Sequence, residues 1–210
     1  MKINIDSKLQ EKLPEFTIIA YSMDVINQSS EQVKNLLDSL EIDLSIEEVT
    51  TNPKILETRN GYKTLGKDPS HTRPACEALI RRVIKGTKLY SLGDLIDLGN
   101  ILSVKTKRSV CVVDVDKIDG DVLIRIGEEK EQIDAINRMP INAHNLPVYV
   151  DNKGIFGSPT SDTLRTAVSS DTKQILVMII CFSKKNMEED EQLLLNLYQN
   201  FADAKNIIKL

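Results

Sequence analysis

The change in hydrophobic period at Ser109 constrains the fold of this 210-residue chain more than any other feature. Before it, apolar residues recur mostly at helical spacing, apart from the short run F-T-I-I-A-Y-S-M at 16–23. After it, segments such as V-C-V-V-D-V-D and V-L-I-R-I predict strands. Because helices lead and strands cluster later, we expect an α+β fold with helices packed on a mixed or antiparallel sheet, not a doubly wound α/β fold.

Start signals place the predicted helices. A serine or a proline opens each helical pattern, in positions where a side chain caps the helix or a missing N–H does no harm. These starts are Ser29 or Ser30, Pro53, Thr72 with Pro74, and Ser91. The third helix is expected to bury Ala75, Leu79 and Val83 and to end at Gly86, and a last helix is predicted from about Glu188 to Ala204.

The strand predictions rest on apolar runs bounded by turn residues. Ile175–Phe182 is the most hydrophobic run and is predicted to be a central strand. D-G-D at 119–121 predicts a hairpin between V-C-V-V-D-V-D and V-L-I-R-I, and 146–150 predicts a further strand. Since no linker of Ser and Gly interrupts these elements, we expect a single domain over residues 1–210.

Composition excludes several classes of protein. The formal net charge of −4 argues against nonspecific polyanion binding by the whole chain. Three widely spaced cysteines without a CxxC pair argue against a zinc site or a disulfide framework and fit a reducing cytoplasm. The start of the sequence lacks an apolar signal core, and no apolar run is long enough to span a membrane. We therefore expect a cytoplasmic protein without a metal, a cofactor or a membrane segment.

A local basic surface is the alternative route to nucleic acid. Seven residues could form it: Arg81, Arg82, Lys85, Lys88, Lys105, Lys107 and Arg108. The opposing interpretation is that these charges only keep helices soluble, and the few aromatic residues limit base stacking.

The candidate nucleophiles each have a plain structural interpretation. Cys111 lies among valines that offer nothing to lower a thiol pKa, so burial is the more common role. Cys76 lies on the first turn of a helix, where the dipole favours a thiolate, with His71 as a possible base. Cys181 is assigned to the core, and His144 to a solvated loop.

Binding candidates lie near the same helix start and in a later loop. Arg73 could hold a carboxylate or phosphate in its fork, or could tie the turn to Asp68 or Glu77. The loop from 154 to 163 could line a small-molecule pocket through Gly157, Ser158, Thr160, Ser161 and Asp162. We interpret the aspartates of one acidic segment as turn residues and not as cation ligands, because their spacing is not that of a calcium loop. They are Asp114, Asp116, Asp119 and Asp121.

A family resemblance connects these motifs. The series comprises G-K-D-P-S-H-T-R-P-A-C-E-A-L-I-R-R-V-I-K-G, L-G-D-L-I-D-L-G-N-I-L, V-D-V-D-K-I-D-G-D-V-L-I-R and G-I-F-G. In that order it resembles free-standing members of the B3/B4 domain family, whose domain also lies within the beta subunit of bacterial phenylalanyl-tRNA synthetase. An ordered series of this length is far more specific than any single short motif.

The resemblance implies a module for tRNA or aminoacyl-tRNA, because the synthetase domain hydrolyses tyrosine wrongly attached to phenylalanine tRNA. It also implies that Arg73, Cys111 and Asp114 approach Ser158–Asp162, with Cys111 and Asp114 as catalytic candidates. However, Cys111 occupies the place of the family's histidine, and Met178 that of a glutamate. Without this histidine and glutamate, the chain lacks two side chains that would orient the substrate or a water molecule. We therefore expect little hydrolysis of mischarged tRNA.

Two alternatives stay open at this stage. One is a protein or enzyme that binds a small amino-acid-like molecule and has kept the pocket without tRNA. The other is a partner-binding protein with no site. The sequence names neither the amino acid nor the oligomeric state.

Overall fold

The computed structural model describes residues 1–136 and 139–210. In these two stretches the chain forms six α-helices. They are α1 (Ser7–Lys12), α2 (Glu31–Asp38), α3 (Pro53–Leu65), α4 (Ala75–Ile84), α5 (Asp94–Thr106) and α6 (Met187–Phe201). The strands are β1 (Ile3–Ile5), β2 (Thr17–Asp24), β3 (Val110–Asp114), β4 (Val122–Ile126), β5 (Gln132–Ile133), β6 (Ile141–Asn142), β7 (Pro147–Asp151), β8 (Gly154–Gly157), β9 (Gln174–Cys181) and β10 (Lys205–Lys209).

The larger strands form two sheets. The first has the order β10-β2-β9-β3 and is antiparallel throughout, with β9 between β2 and β3. The second has the order β1-β4-β7-β8 and is mixed, because β1 runs parallel to β4 while the other pairs are antiparallel. The predicted α+β class and the central position of the 175–182 run are therefore confirmed.

Strand β9 shows how the layers are arranged. Its residues 175, 177, 179 and 181 join a core shared with the helices, and residues 176, 178 and 180 join a core shared with the second sheet. Because side chains alternate across a strand, one continuous apolar run can serve two cores. The molecule thus has a helical layer, the antiparallel sheet and the mixed sheet in succession.

Most predicted helix starts agree with the structure. The hydroxyl of Ser30 caps α2 by accepting a hydrogen bond from the Val33 N–H at 3.2 Å, and Pro53 is the first residue of α3. Helix α5 differs, since it begins at Asp94 after Gly93 and not at Ser91. The Ser91 hydroxyl instead donates to the buried Asp97 carboxylate, so it holds the preceding segment rather than the helix end.

The predicted hairpin at 119–121 is wrong. Strand β3 belongs to the antiparallel sheet and β4 to the mixed sheet, so the two strands do not pair. A 3₁₀ turn at Val115–Lys117 carries the chain from one sheet to the other. Alternating apolar residues identify a strand with one buried face, but they do not identify its partner.

Several elements were not predicted at all. Strands β1 and β10 pair at sheet edges, and the start of the expected 154–163 loop is strand β8. The fully buried residues of α4 are Cys76, Glu77 and Ile80, while the expected Leu79 and Val83 are partly buried and pack against the core shared with the helices. Within residues 1–136 and 139–210, no helix has the length and apolar character needed to cross a membrane.

Candidate functional site

A cavity of about 630 Å³ opens where helices α4 and α5 meet the start of β3. Its volume is in the range of small-molecule sites, which is about 300–1,000 Å³. The first turn of α4 and the turn before it supply Arg73 and Ala75, while α5 supplies Asn100 and Ser103. The segment Ser158–Asp162, called the cavity loop below, forms another wall through its last three residues.

Two hydrogen bonds to one carbonyl fix the position of the cavity loop. The Ser109 hydroxyl donates to the Pro159 carbonyl at 2.7 Å, and the Ala75 N–H donates to the same oxygen at 2.9 Å. The Ala75 N–H is one of the donors that a helix start leaves without an intrahelical partner. The loop is therefore tied both to the first turn of α4 and to the entry of β3.

The cavity loop also stabilises its own turn. The Ser158 hydroxyl oxygen accepts the N–H groups of Thr160 and Ser161 at 3.2 and 3.3 Å, and the Ser158 N–H donates to the Ser161 carbonyl. The buried hydroxyls of Tyr62 and Thr160 share a hydrogen bond of 2.9 Å. Because these groups are satisfied within the protein, the loop is held in one shape before any ligand arrives.

Asp162 closes the inner end of the cavity beside Cys111. Burial raises the pKa of the Asp162 carboxyl to about 7, although the neighbouring Cys111 thiol acts in the opposite direction. Burial, followed by the nearby Asp162, also raises the pKa of the Cys111 thiol well above its usual value. Cys111 is therefore a neutral thiol at physiological pH, which argues against a role as nucleophile.

Tyr149 and Gly157 lie close to Asp162 behind the cavity loop. The Tyr149 hydroxyl and Asp162 Oδ1 are buried, and neither has a hydrogen-bond partner among the described residues. A Cβ at Gly157 would lie 2.5 Å from Asp162 Oδ1 and 2.9 Å from the Tyr149 ring. Glycine is needed at this position because any side chain would displace the acid or the ring.

The outer rim of the cavity is cationic. Glu77 is buried beneath it, and the guanidinium groups of Arg59, Arg73 and Arg81 lie at 2.8, 3.5 and 2.9 Å from its carboxylate. Three cations around one anion leave a net positive charge. The Arg73 side chain is 47% exposed, contacts Glu77 and lines the cavity.

Cys76 and His71 do not form a nucleophile and base. Cys76 is buried, and desolvation raises the pKa of its thiol to about 11 despite its place on the first turn of α4. His71 is exposed and its Nδ1 lies 2.6 Å from Asp68. Burial therefore outweighs the helix dipole at Cys76.

The structure does not bring Asp114 to the cavity. Its carboxylate accepts the Thr172 hydroxyl at 2.6 Å and the Asp116 N–H at 3.0 Å, at the far end of β3. The expectation that Asp114 approaches the cavity loop is wrong, because the chain turns between sheets immediately after it. Asp114 holds that turn.

The predicted basic surface needs a correction at Arg108. This residue is 1% exposed; its Nε donates to Asp190 at 2.8 Å, and its Nη2 donates to the Lys185 carbonyl at 2.6 Å. Arg108 is thus a buried structural cation and cannot reach a phosphate backbone. A charge pattern in sequence does not show which cations have an acidic partner in the fold.

The other predicted basic residues are only partly available. Arg81 contacts Glu77, and Lys88 lies 2.7 Å from Asp38. Lys85 and Lys105 are exposed, and Lys107 is half-buried, where desolvation lowers the pKa of its ammonium group. Arg82 lines the cavity. Positive charge is therefore concentrated at the cavity rim more than along an extended surface.

Sequence reasoning missed some of the residues that define this site. Arg59 and Tyr149 carried no motif signal, since one lies in the middle of α3 and the other in a strand. Asn100 and Ser103 lie one turn apart on α5, a spacing that could have indicated a shared polar face. In the described part of the chain, no group of three or more His, Cys, Asp or Glu side chains is placed to hold a metal ion.

Comparison with known proteins gives a matching family and a related protein. A family model described as "B3/4 domain" matches residues 57–196. The phenylalanine–tRNA ligase beta subunit of Fusobacterium nucleatum is 23% identical over 155 residues, which cover 65% of this chain and 19% of that protein. The chain therefore spans about a fifth of the length of this curated relative.

A solved structure shows the same fold. The crystal structure of an N-terminal fragment of the phenylalanyl-tRNA synthetase beta-subunit from Pyrococcus horikoshii superposes with a TM-score of 0.54 at 11% identity. The match covers 98% of this chain and 50% of that chain. At this identity the likeness concerns the fold alone.

Proposed function

Because this chain belongs to the B3/4 domain family, we propose that its cavity binds the aminoacyl group carried on the 3′ end of a tRNA, with little or no hydrolysis. The relatives with which it shares this domain are named as a phenylalanine–tRNA ligase beta subunit and a phenylalanyl-tRNA synthetase beta-subunit. The class of ligand, an aminoacylated tRNA end, follows from the names of these relatives, which do not specify the amino acid that this chain would bind.

The distribution of charge in the cavity carries the proposal. Arg73, Arg82 and Asp162 all line the cavity, and the Arg73 side chain is 47% exposed whereas Asp162 Oδ1 is buried. An aminoacyl-tRNA end has the same polarity, since it joins an anionic phosphodiester to an α-ammonium group and an ester carbonyl. Cations placed outside and a carboxyl placed inside would orient such a ligand with its amino acid inward.

The side chains at two positions of the family resemblance give hydrolysis little support. At the positions where the family resemblance implies a histidine and a glutamate, this chain has Cys111 and Met178, and both are fully buried. Neither side chain is a base at neutral pH. Asp162, with its pKa raised to about 7, is the candidate for any residual general-base activity.

One observation favours a second candidate, a protein that binds a free amino-acid-like molecule. Arg108 is buried, and Arg81 and Lys88 lie against acidic partners, so few cations are left for an RNA backbone. The formal net charge of −4 adds long-range repulsion of a polyanion. A small ligand needs only the cavity.

A binding series with matched variants tests both candidates. Thermal shift measured with amino acids and aminoacyl amides should identify cavity ligands, which stabilise the native state by mass action. Arg73→Gln should weaken this binding, while Lys105→Gln, on an exposed position outside the cavity lining, should not. Stabilisation by neither class of compound would contradict the proposed function.

Binding of tRNA at two salt concentrations then separates the candidates. If the 3′ end is the ligand, charged tRNA should bind more tightly than uncharged tRNA, with a shallow salt dependence of about one or two phosphate contacts. Arg82→Gln should reduce that slope by about one. Binding of free amino acids without any binding of charged tRNA would favour the second candidate.

A further inference from the structure

Tyr90 is held outward on a segment that is fixed on both sides. The residue is 76% exposed, although it follows Leu89, which is 8% exposed and belongs to the core. On the other side, the Ser91 hydroxyl and the Leu92 N–H donate to the buried Asp97 carboxylate at 2.6 and 2.8 Å. The exposure of Tyr90 is therefore a feature of an anchored backbone and not of a loose one.

Arg82 links Tyr90 to the cavity. Its guanidinium carbon lies 5.3 Å from the centroid of the Tyr90 ring, within the range of a cation–π contact. The Arg82 side chain also lines the cavity, as does Leu92, which is 67% exposed. An aromatic ring, a cation and an apolar side chain thus adjoin the mouth of the cavity on one side.

The exposed side chains of Tyr90 and Leu92 next to Arg82 indicate a ligand-binding surface. Exposed apolar side chains that form a patch next to a polar rim are typical of binding surfaces, whereas single exposed apolar residues are ordinary. Aromatic rings beside arginine are typical of sites that stack nucleobases, because every base has a π face and lies next to an anionic phosphate. The cation at Arg82 would suit that phosphate.

We propose that Tyr90, supported by Arg82 and Leu92, forms a stacking platform for the terminal adenine of an aminoacylated 3′ end. This inference rests on the proposed function and adds the nucleotide part of the ligand to it. In such a ligand the base lies one ribose away from the acyl group, so a base on the platform would leave the aminoacyl group inside the cavity. Tyr90 is a positioning residue for the ligand in this arrangement.

Two compounds separate the nucleotide part from the aminoacyl part. The first is 3′-deoxy-3′-(tyrosylamino)adenosine, whose amide bond resists hydrolysis, and the second is tyrosinamide. The wild-type protein should bind the adenosyl compound more tightly. Tyr90→Ala should weaken its binding by about tenfold or more and leave tyrosinamide binding unchanged, because stacking of one base is lost. Tyr90→Phe should keep wild-type affinity, as should Ile208→Ala, a control at an exposed apolar residue on β10.

A fluorescent variant gives a direct readout of stacking. The chain contains no tryptophan, so Tyr90→Trp introduces a single reporter at the platform. The adenosyl compound should quench its emission, and tyrosinamide should not. Equal quenching by both compounds, or a loss of less than twofold in Tyr90→Ala, would overturn the platform and leave the proposed function standing. Failure of the wild-type protein to bind either compound would overturn both.

Discussion

The Cys111 thiol lies beside the Asp162 carboxyl group, where strand β3 meets the cavity loop. Both groups are close to the Tyr149 hydroxyl, which contributes no hydrogen bond to them. Burial without a cationic partner disfavours the charged forms of the acid and the thiol. The Cys111 thiol therefore differs from an activated nucleophile, whose proton is removed by a neighbouring base.

The raised pKa of Asp162 predicts a dependence of stability on pH. The carboxyl has a pKa of about 7 in the folded protein, whereas an unfolded aspartate has a pKa of about 3.9. Between these values the folded state holds the extra proton. The free energy of unfolding contributed by this group should thus fall as pH rises from about 4 to about 7, by at most about 1.4 kcal/mol per pH unit, and level off above.

Replacement by asparagine isolates this contribution. Asp162→Asn should lose the slope, and the difference between variant and wild type should change through this pH window in urea unfolding measured at several pH values. The matched control is Asp134→Asn, at an exposed aspartate, which should keep the wild-type profile. Identical profiles for wild type and Asp162→Asn would show that the carboxyl is already ionised at acidic pH.

Arg108 should be essential for stability and irrelevant to RNA. Arg108→Ala would leave the buried Asp190 carboxylate with Lys54 as its remaining cation, at 2.7 Å. We expect a loss of about 3 kcal/mol in the free energy of unfolding, as is typical when one partner of a buried ion pair is removed. Lys105→Ala, at an exposed position in the last turn of α5, should change the free energy of unfolding by less than about 0.5 kcal/mol. A loss below about 1 kcal/mol for Arg108→Ala would refute the structural role.

Deacylation of mischarged tRNA should be slow or absent. The substrate to measure is phenylalanine-specific tRNA mischarged with tyrosine, with a buffer blank for spontaneous hydrolysis. Residual turnover, if present, should fall about 100-fold or more in Asp162→Asn and be retained in Cys111→Ala, since the thiol is neutral and the carboxyl is not fully protonated. Rapid turnover that disappears in Cys111→Ala would show that Cys111 is catalytic.

Limited proteolysis should test the prediction of one domain. Helix α5 packs against α2, α4, α6 and β3, so its loss would expose the core on several sides. We therefore expect no pair of stable fragments cut between residues 87 and 110. Two fragments that survive separately and keep native circular dichroism would show that the chain contains two folding units.

The sequence alone determined which segments form most of the helices and strands. The Ser30 cap, the Pro53 helix start and the 175–182 strand follow from local chemistry, because capping, a fixed φ and apolar content act within a few neighbouring residues. The ordered motifs also identified the family. For the site, Arg73 and the cavity loop were candidates from the sequence, and in the structure Arg73 contacts Glu77 and both line the same cavity.

Only the tertiary structure decided how those segments meet. The alternation of apolar residues in β3 and β4 is the same whether the strands pair or lie in different sheets, so the hairpin was predicted where two layers exist. The same reason applies to charge: Arg108 and Lys105 are alike in sequence, and only the fold places Asp190 against one of them. The protonation of Asp162 and the outward position of Tyr90 likewise depend on residues distant in the chain or fixed by the core, because desolvation and anchoring are properties of packed neighbours.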